Sequence, residues 1–164
     1  MPTAGGGATV AAVGPGAPPP PHPFNLIFIV HILLELPFGI LALFFTGSLP
    51  FLDLSNTTIV FLKLFGALSA GLAVASMLVA SLPDVLPGKR ALVVALVIYH
   101  AASSTVLLQA PRFIPHSFGT AAEKLSVTPE HIWGCAHGLL TLAFTTWWQV
   151  TLPTTAAITK AKTS

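Results

Sequence analysis

Four long apolar runs, at about 24–45, 58–82, 90–110 and 130–152, dominate the chain. Each is close to the ~20 residues that an α-helix needs to cross ~30 Å of hydrocarbon. Hydrocarbon offers the backbone no hydrogen-bond partners, so a spanning segment must be a helix or part of a closed barrel. Barrel strands alternate polar and apolar residues over about ten positions, whereas these runs are longer and apolar throughout. Charged residues make up 7% of the 164 positions and the mean hydropathy is +0.84, against about 25% charged in a soluble domain. The expectation is an all-α integral membrane protein, a four-helix bundle with the lipid bilayer as its first partner.

The flanks and punctuation agree with that plan. Residues 1–23 are nearly all Gly, Ala and Pro, closing on Pro18 to Pro21, His22 and Pro23. Such a segment cannot bury a core and reads as a disordered tail with an extended proline end. It lacks the basic start and apolar stretch of a signal peptide. Pro83, Asp84, Pro87 and Gly88 make a turn after the second run, and Pro111 and Pro115 close the third. Thr128, Pro129 and Glu130 supply a cap, a first-turn proline and an acidic first turn for the fourth. Residues 153–164 read as a short polar C-terminal tail. Lys89, Arg90, Lys160 and Lys162 fall on one side of a four-span topology, while Arg112 and Lys124 on the other are offset by Asp53 and Glu123. The positive-inside rule then puts both termini in the cytoplasm, in a membrane that the sequence does not identify. Trp133 near one end of the fourth run, and Trp147 with Trp148 near the other, have the spacing of interfacial anchors.

Several function classes drop out. A net charge of +2 is too slight for nucleic-acid binding. Cys135 is the single cysteine, so there is neither an internal disulfide nor a Cys-rich metal site. No zinc-protease motif, phosphate loop or nucleophile elbow is present. A bis-histidine haem on His100 and His137 is geometrically conceivable, but nothing else calls for a cofactor or a metal.

The informative residues are the ionisable ones inside the apolar runs: His31, Glu35, Lys63, His100 and His137. Such groups cost a few kcal/mol each to insert, so function is their default reading. Counting ~1.5 Å per residue, Glu35 and His100 fall about 16 Å from the inner surface and His137 about 20 Å, which is one layer near the midplane. His31 and Glu35 are four apart, hence on one helix face, where they can exchange a proton or supply ligands to a metal. Ser103 and Ser104 extend the face of His100, and Gly134, Thr141 and Trp148 that of His137. Tyr99 is placed to hydrogen-bond into the same region, and Pro37 removes one backbone hydrogen bond beside it. Glu35, His31, His100 and His137 are therefore the candidate catalytic set, whereas Lys63 is near enough to the outer end of its run to snorkel. The second run carries Gly66, Ala67, Ser69, Ala70, Gly71, Ala73, Ala75 and Ser76, a small-residue surface for packing inside the bundle or for a homodimer.

The stretch His31-Ile-Leu-Leu-Glu35 followed by Pro37-Phe38-Gly39 resembles the His-x-x-x-Glu stretch of the sterol isomerase and sigma-2 receptor superfamily. It covers residues 31–39, and the second acidic residue expected on the next helices has no match. The resemblance implies a lipid or sterol ligand, with Glu35 and His31 handling a proton. Three readings follow. The favoured one is a non-catalytic bundle that serves as an assembly or lipid-associated component. The second is a membrane-embedded enzyme doing acid–base chemistry on an apolar small molecule, a sterol or terpenoid. The third is a proton-coupled transport subunit.

Overall fold

The computed structural model describes residues 22–51 and 54–163, the side chains of 154–163 excepted. Of the tail expected over 1–23, only His22 and Pro23 lie within the described residues. A 3-10 turn at Pro23–Asn25 leads into α1 (Leu26–Phe44), and a second one at Thr46–Ser48 follows it. Then come α2 (Asn56–Ala80), α3 (Pro87–Gln109), a single short turn of helix, α4 (Thr120–Lys124), and α5 (Pro129–Thr163). No strand occurs among the described residues.

The helix starts follow from local chemistry. The Ser55 side-chain oxygen accepts from the Thr58 N–H at 3.2 Å, satisfying one of the free donors at the start of α2. Pro87 opens α3, where its missing N–H costs nothing. Thr128 Oγ1 accepts from the His131 N–H at 3.3 Å to cap α5. Glu130 does more than favour the helix start. Its Oε1 accepts from the Phe113 and Ile114 N–H groups at 2.7 and 2.6 Å, pinning the α3–α4 connection to the head of α5. At its far end α5 passes through Pro153 and continues to Thr163, where the sequence reading ends it at 152. The stretch after Pro153 holds three alanines and two lysines, which favour a helix, beside four threonines, which favour it less, and has no glycine to stop it.

The helices pack chiefly in two pairs, α1 on α2 and α3 on α5. In the first pair the backbones nearly touch. A Cβ added at Gly66 would stand 2.8 Å from the Gly39 carbonyl oxygen, and one at Gly39 would stand 2.9 Å from the Ala70 nitrogen. Gly66, Ser69, Ala73 and Ser76, at alternating three- and four-residue spacing, are the buried face of α2. In the second pair, Gly134 and Gly138 of α5 admit Leu108 and Ser104 of α3. Ile27 and Phe28 of α1, Val93 and Leu96 of α3, and Leu140, Phe144 and Trp147 of α5 join the pairs in one core.

Outside that core the polarity is inverted relative to a soluble protein. Leu33, Phe44, Phe61, Leu64, Leu78, Ile98, Val106, Leu139 and Leu142 are each 62–68% exposed. A continuous apolar coat of this kind fits a hydrocarbon surrounding. Three helices, α1 with its leading 3-10 turn, α2 and α3, are long and apolar enough to cross a membrane. The fourth expected span is not among them. α5 is long, but Gly134, His137, Gly138, Thr141, Thr145, Thr146 and Gln149 dilute its apolarity.

One end of the assembly is tied by a polar knot. Lys89, at the start of α3, is 1% exposed and places its ammonium 2.9 Å from Asp84 Oδ1 and 2.8 Å from the Leu82 carbonyl. Asp84 also accepts from the His22 N–H and the Asn25 side-chain amide, both at 3.0 Å. Asn25 in turn accepts from Trp147 Nε1 at 2.6 Å, and the Lys89 ammonium lies 5.1 Å from the centre of the Phe28 ring. The knot therefore joins α1, the α2–α3 turn, α3 and α5. Two sequence expectations change here. Lys89 is an internal ion-pair partner rather than a free loop charge, and Trp147 is wholly buried rather than an interfacial anchor. Both reassignments follow from Asp84 and Asn25, which sit where their hydrogen-bonding groups reach inward.

Candidate functional site

Near the middle of the helices, side chains from α1, α2, α3 and α5 meet in a buried polar cluster. His31 and Glu35, one turn apart on α1, both point inward, at 0% and 3% exposure; His100 and His137 are at 0% and 2%. All four candidate residues therefore come together; depth along the helices places Glu35, His100 and His137 in one layer but leaves open whether they meet. Their convergence comes from tertiary packing, since three separate helices carry them.

The hydrogen bonds run in two directions from Glu35. Its Oε2 accepts from the Ser69 hydroxyl at 2.7 Å and the Tyr99 hydroxyl at 2.9 Å. Its Oε1 faces His137 Nδ1 at 3.5 Å and His100 Nδ1 at 3.9 Å, distances beyond ordinary hydrogen-bond length. The imidazoles form a chain of their own. His31 Nδ1 is 3.0 Å from His100 Nε2, and His100 Nδ1 is 2.8 Å from His137 Nδ1. A neutral imidazole donates through one nitrogen and accepts through the other, so protons in such a chain are all oriented one way or all the other. Reversing the order moves the equivalent of a proton from one end to the other. Phe144 stacks on His100 with 10° between ring planes, and Trp133 stacks on His137 with 15°. These aromatic walls keep bulk solvent away from the ring faces.

Beyond the cluster, toward the C-terminal ends of α1 and α3, lies a cavity of about 540 Å³. Phe38, Leu62, Phe65, Val106 and Trp133 give it apolar walls, while Ser103 and His137 supply polar groups. His137 thus belongs both to the cavity wall and to the imidazole chain. A smaller space of about 40 Å³ sits beside Glu35 and His137, lined also by Leu34, Trp133, Ala136 and Leu140.

Other residues singled out by sequence fall elsewhere. Lys63 is exposed and takes no part. Thr141 bonds back to the His137 carbonyl at 3.0 Å, Ser104 packs on Gly138, and Trp148 lies under the Arg90 guanidinium at 3.9 Å. The direct approach of His100 to His137 leaves no room for a haem between them. Ser69 is the residue that sequence reasoning underrates. It reads as a small packing residue, but its place on the buried three- and four-spaced face of α2 points its hydroxyl at Glu35.

No protein-family model matches the chain, nor does any curated protein or solved structure.

Proposed function

We propose that this chain is a membrane-embedded protein that binds an apolar molecule of sterol or terpenoid class in the cavity and exchanges a proton with it through His137. The observation that carries the reading is the double membership of His137, which is a cavity wall and the end of the imidazole chain. A volume of about 540 Å³ is within the range of small-molecule sites, which are mostly apolar with a few placed polar groups. In this scheme His137 gives or takes a proton at the ligand's polar end, and His100 and His31 pass it along. Glu35, held by Ser69 and Tyr99, balances the imidazolium charge that forms. We also take α5 as a fourth span. Its 35 residues exceed the required length, His137, Gly138 and Thr141 lie on its inward side, Leu139 and Leu142 coat its outside, and the exposed Thr145 and Thr146 hydroxyls bond back to the Thr141 and Leu142 carbonyls at 2.8 Å. Both termini then share the cytoplasmic side, as the basic residues suggest.

A non-catalytic, lipid-associated component is the second reading, favoured by the way the cluster's members serve as one another's partners. The test is photo-crosslinking of the full chain in lipid nanodiscs with a diazirine-bearing sterol. Label on Phe65, Ser103 and Trp133, lost on Ala102→Phe at the cavity wall, is the expected result. Label spread over outward residues such as Leu33 and Leu142, unchanged by that substitution, would overturn the ligand reading.

A further inference from the structure

The geometry points to a divalent transition-metal site of the zinc class, formed by His100 Nδ1, His137 Nδ1 and Glu35 Oε1. It stands on the cluster alone and does not require the sterol reading; an ion here takes the two nitrogens that otherwise share a hydrogen bond, and so replaces the proton relay between His100 and His137. The three atoms are separated by 2.8 Å (His100 to His137), 3.5 Å (His137 to Glu35) and 3.9 Å (His100 to Glu35). Ligands about 2.0–2.1 Å from a tetrahedral ion lie roughly 3.3 Å from one another, and the observed separations bracket that value. The two longer ones are too long for good hydrogen bonds and suit a shared ion better than a shared proton. His31, Glu35 and His100 form a wider constellation whose ligand atoms lie within 4.8 Å. His31 is better placed behind His100 than as a ligand in the tighter set.

The surroundings supply what ligands need. A metal-bound imidazole donates its other N–H to a fixed acceptor, and His100 Nε2 has His31 Nδ1 at 3.0 Å for this purpose. A ligating carboxylate is held by hydrogen bonds, and Glu35 Oε2 has the Ser69 and Tyr99 hydroxyls. Two nitrogens and one carboxylate oxygen leave the fourth position open, the pattern of sites that bind a water or a substrate group. The space of about 40 Å³ beside Glu35 and His137 is large enough to hold a water. With a carboxylate and two neutral imidazoles as ligands, a divalent ion would leave the site at net +1, which a bound hydroxide would cancel. Such an ion would set a Lewis acid on His137, the residue that the cluster shares with the cavity wall.

The test uses the full chain purified in detergent, stripped with a chelator and dialysed against Zn²⁺, with the metal counted by elemental mass spectrometry. A parallel sample with Co²⁺ reads the coordination through its visible absorption. The expected result is a single tightly held ion and a tetrahedral-type Co²⁺ spectrum. Glu35→Gln and His137→Gln, which keep side-chain volume, should abolish the spectrum, and Ser69→Ala should weaken affinity by about 10- to 100-fold. Monodisperse gel filtration of each variant separates lost binding from lost folding; Ser69→Ala, which removes a single oxygen, remains informative if the ligand variants aggregate. Zn²⁺ retained in full by His137→Gln would place the ion on exposed histidines such as His116 and overturn the site, as would an absent Co²⁺ band in the wild-type chain. Sterol crosslinking repeated on the stripped protein keeps the two proposals apart, since cavity labelling that persists without metal survives a failure of the metal site.

Discussion

The contact between α1 and α2 makes the sharpest stability prediction, because one methyl group tests it. A Cβ at Gly66 meets the Gly39 carbonyl oxygen and the Leu43 nitrogen at 2.8 Å and the Ala42 Cβ at 2.9 Å. Ordinary contact begins at 3.4 Å, so Gly66→Ala requires α1 and α2 to part by about 0.6 Å in a close-packed region. Overpacking of this size costs about 1–3 kcal/mol. Alanine's better helix propensity returns up to ~1 kcal/mol and masks part of the cost. Gly71→Ala removes that ambiguity. It makes the same chemical change on the same helix, where a Cβ meets nothing within 4 Å. The difference between the two variants isolates the clash, and for a chain of this size it corresponds to a melting-temperature gap of roughly 2–12 °C. Tryptophan fluorescence during a thermal ramp in detergent reads that gap. The same separation stretches the 2.7 Å bond from Ser69 to Glu35, since Ser69 lies three residues past Gly66. Gly66→Ala should therefore also weaken metal binding, while Gly71→Ala should leave it alone. Melting curves for the two variants that coincide within ~1 °C would refute the close backbone contact.

Other predictions follow from the polar ends. Burial pushes the Asp84 carboxyl up, but the Lys89 side chain, the His22 N–H and the Asn25 amide outweigh it and hold the group below its ordinary value of 3.8. Its stabilising effect is therefore complete above about pH 4 and is lost as the pH falls through the folded-state value; Asp84→Asn should lower stability at neutral pH and flatten the acid limb of a melting-temperature profile. Trp147→Phe removes the 2.6 Å bond to Asn25 and should cost about 1–3 kcal/mol. In a chain with Trp133 and Trp148 replaced by Phe, the emission of Trp147 should resist a headgroup-level quencher, whereas efficient quenching would restore it as an interfacial anchor. Glu130→Ala strips the Phe113 and Ile114 N–H groups of their acceptor and should speed limited proteolysis at residues 110–119, with little change in the core. Lys63→Gln, at an exposed position, should shift stability by no more than about 0.5 kcal/mol.

Amino-acid order alone makes three of the helices long and apolar enough to cross a membrane. Long runs without charge can satisfy their backbone only as helices, and the helix rise then assigns a depth to each titratable residue. That arithmetic was enough to put Glu35, His100 and His137 in one layer, and the four-residue spacing put His31 beside Glu35. It could not decide which way the helices face, because rotation about a helix axis is set by its neighbours. Packing of α1 on α2 through Gly39 and Gly66 turns Ser69 onto Glu35, and packing of α3 on α5 brings His100 against His137. The same contacts draw Lys89 and Trp147 inward, away from the surface roles that their positions near helix ends suggest. Depth is a property of one helix, and convergence is a property of several; only the second makes a carboxylate and three imidazoles into a site.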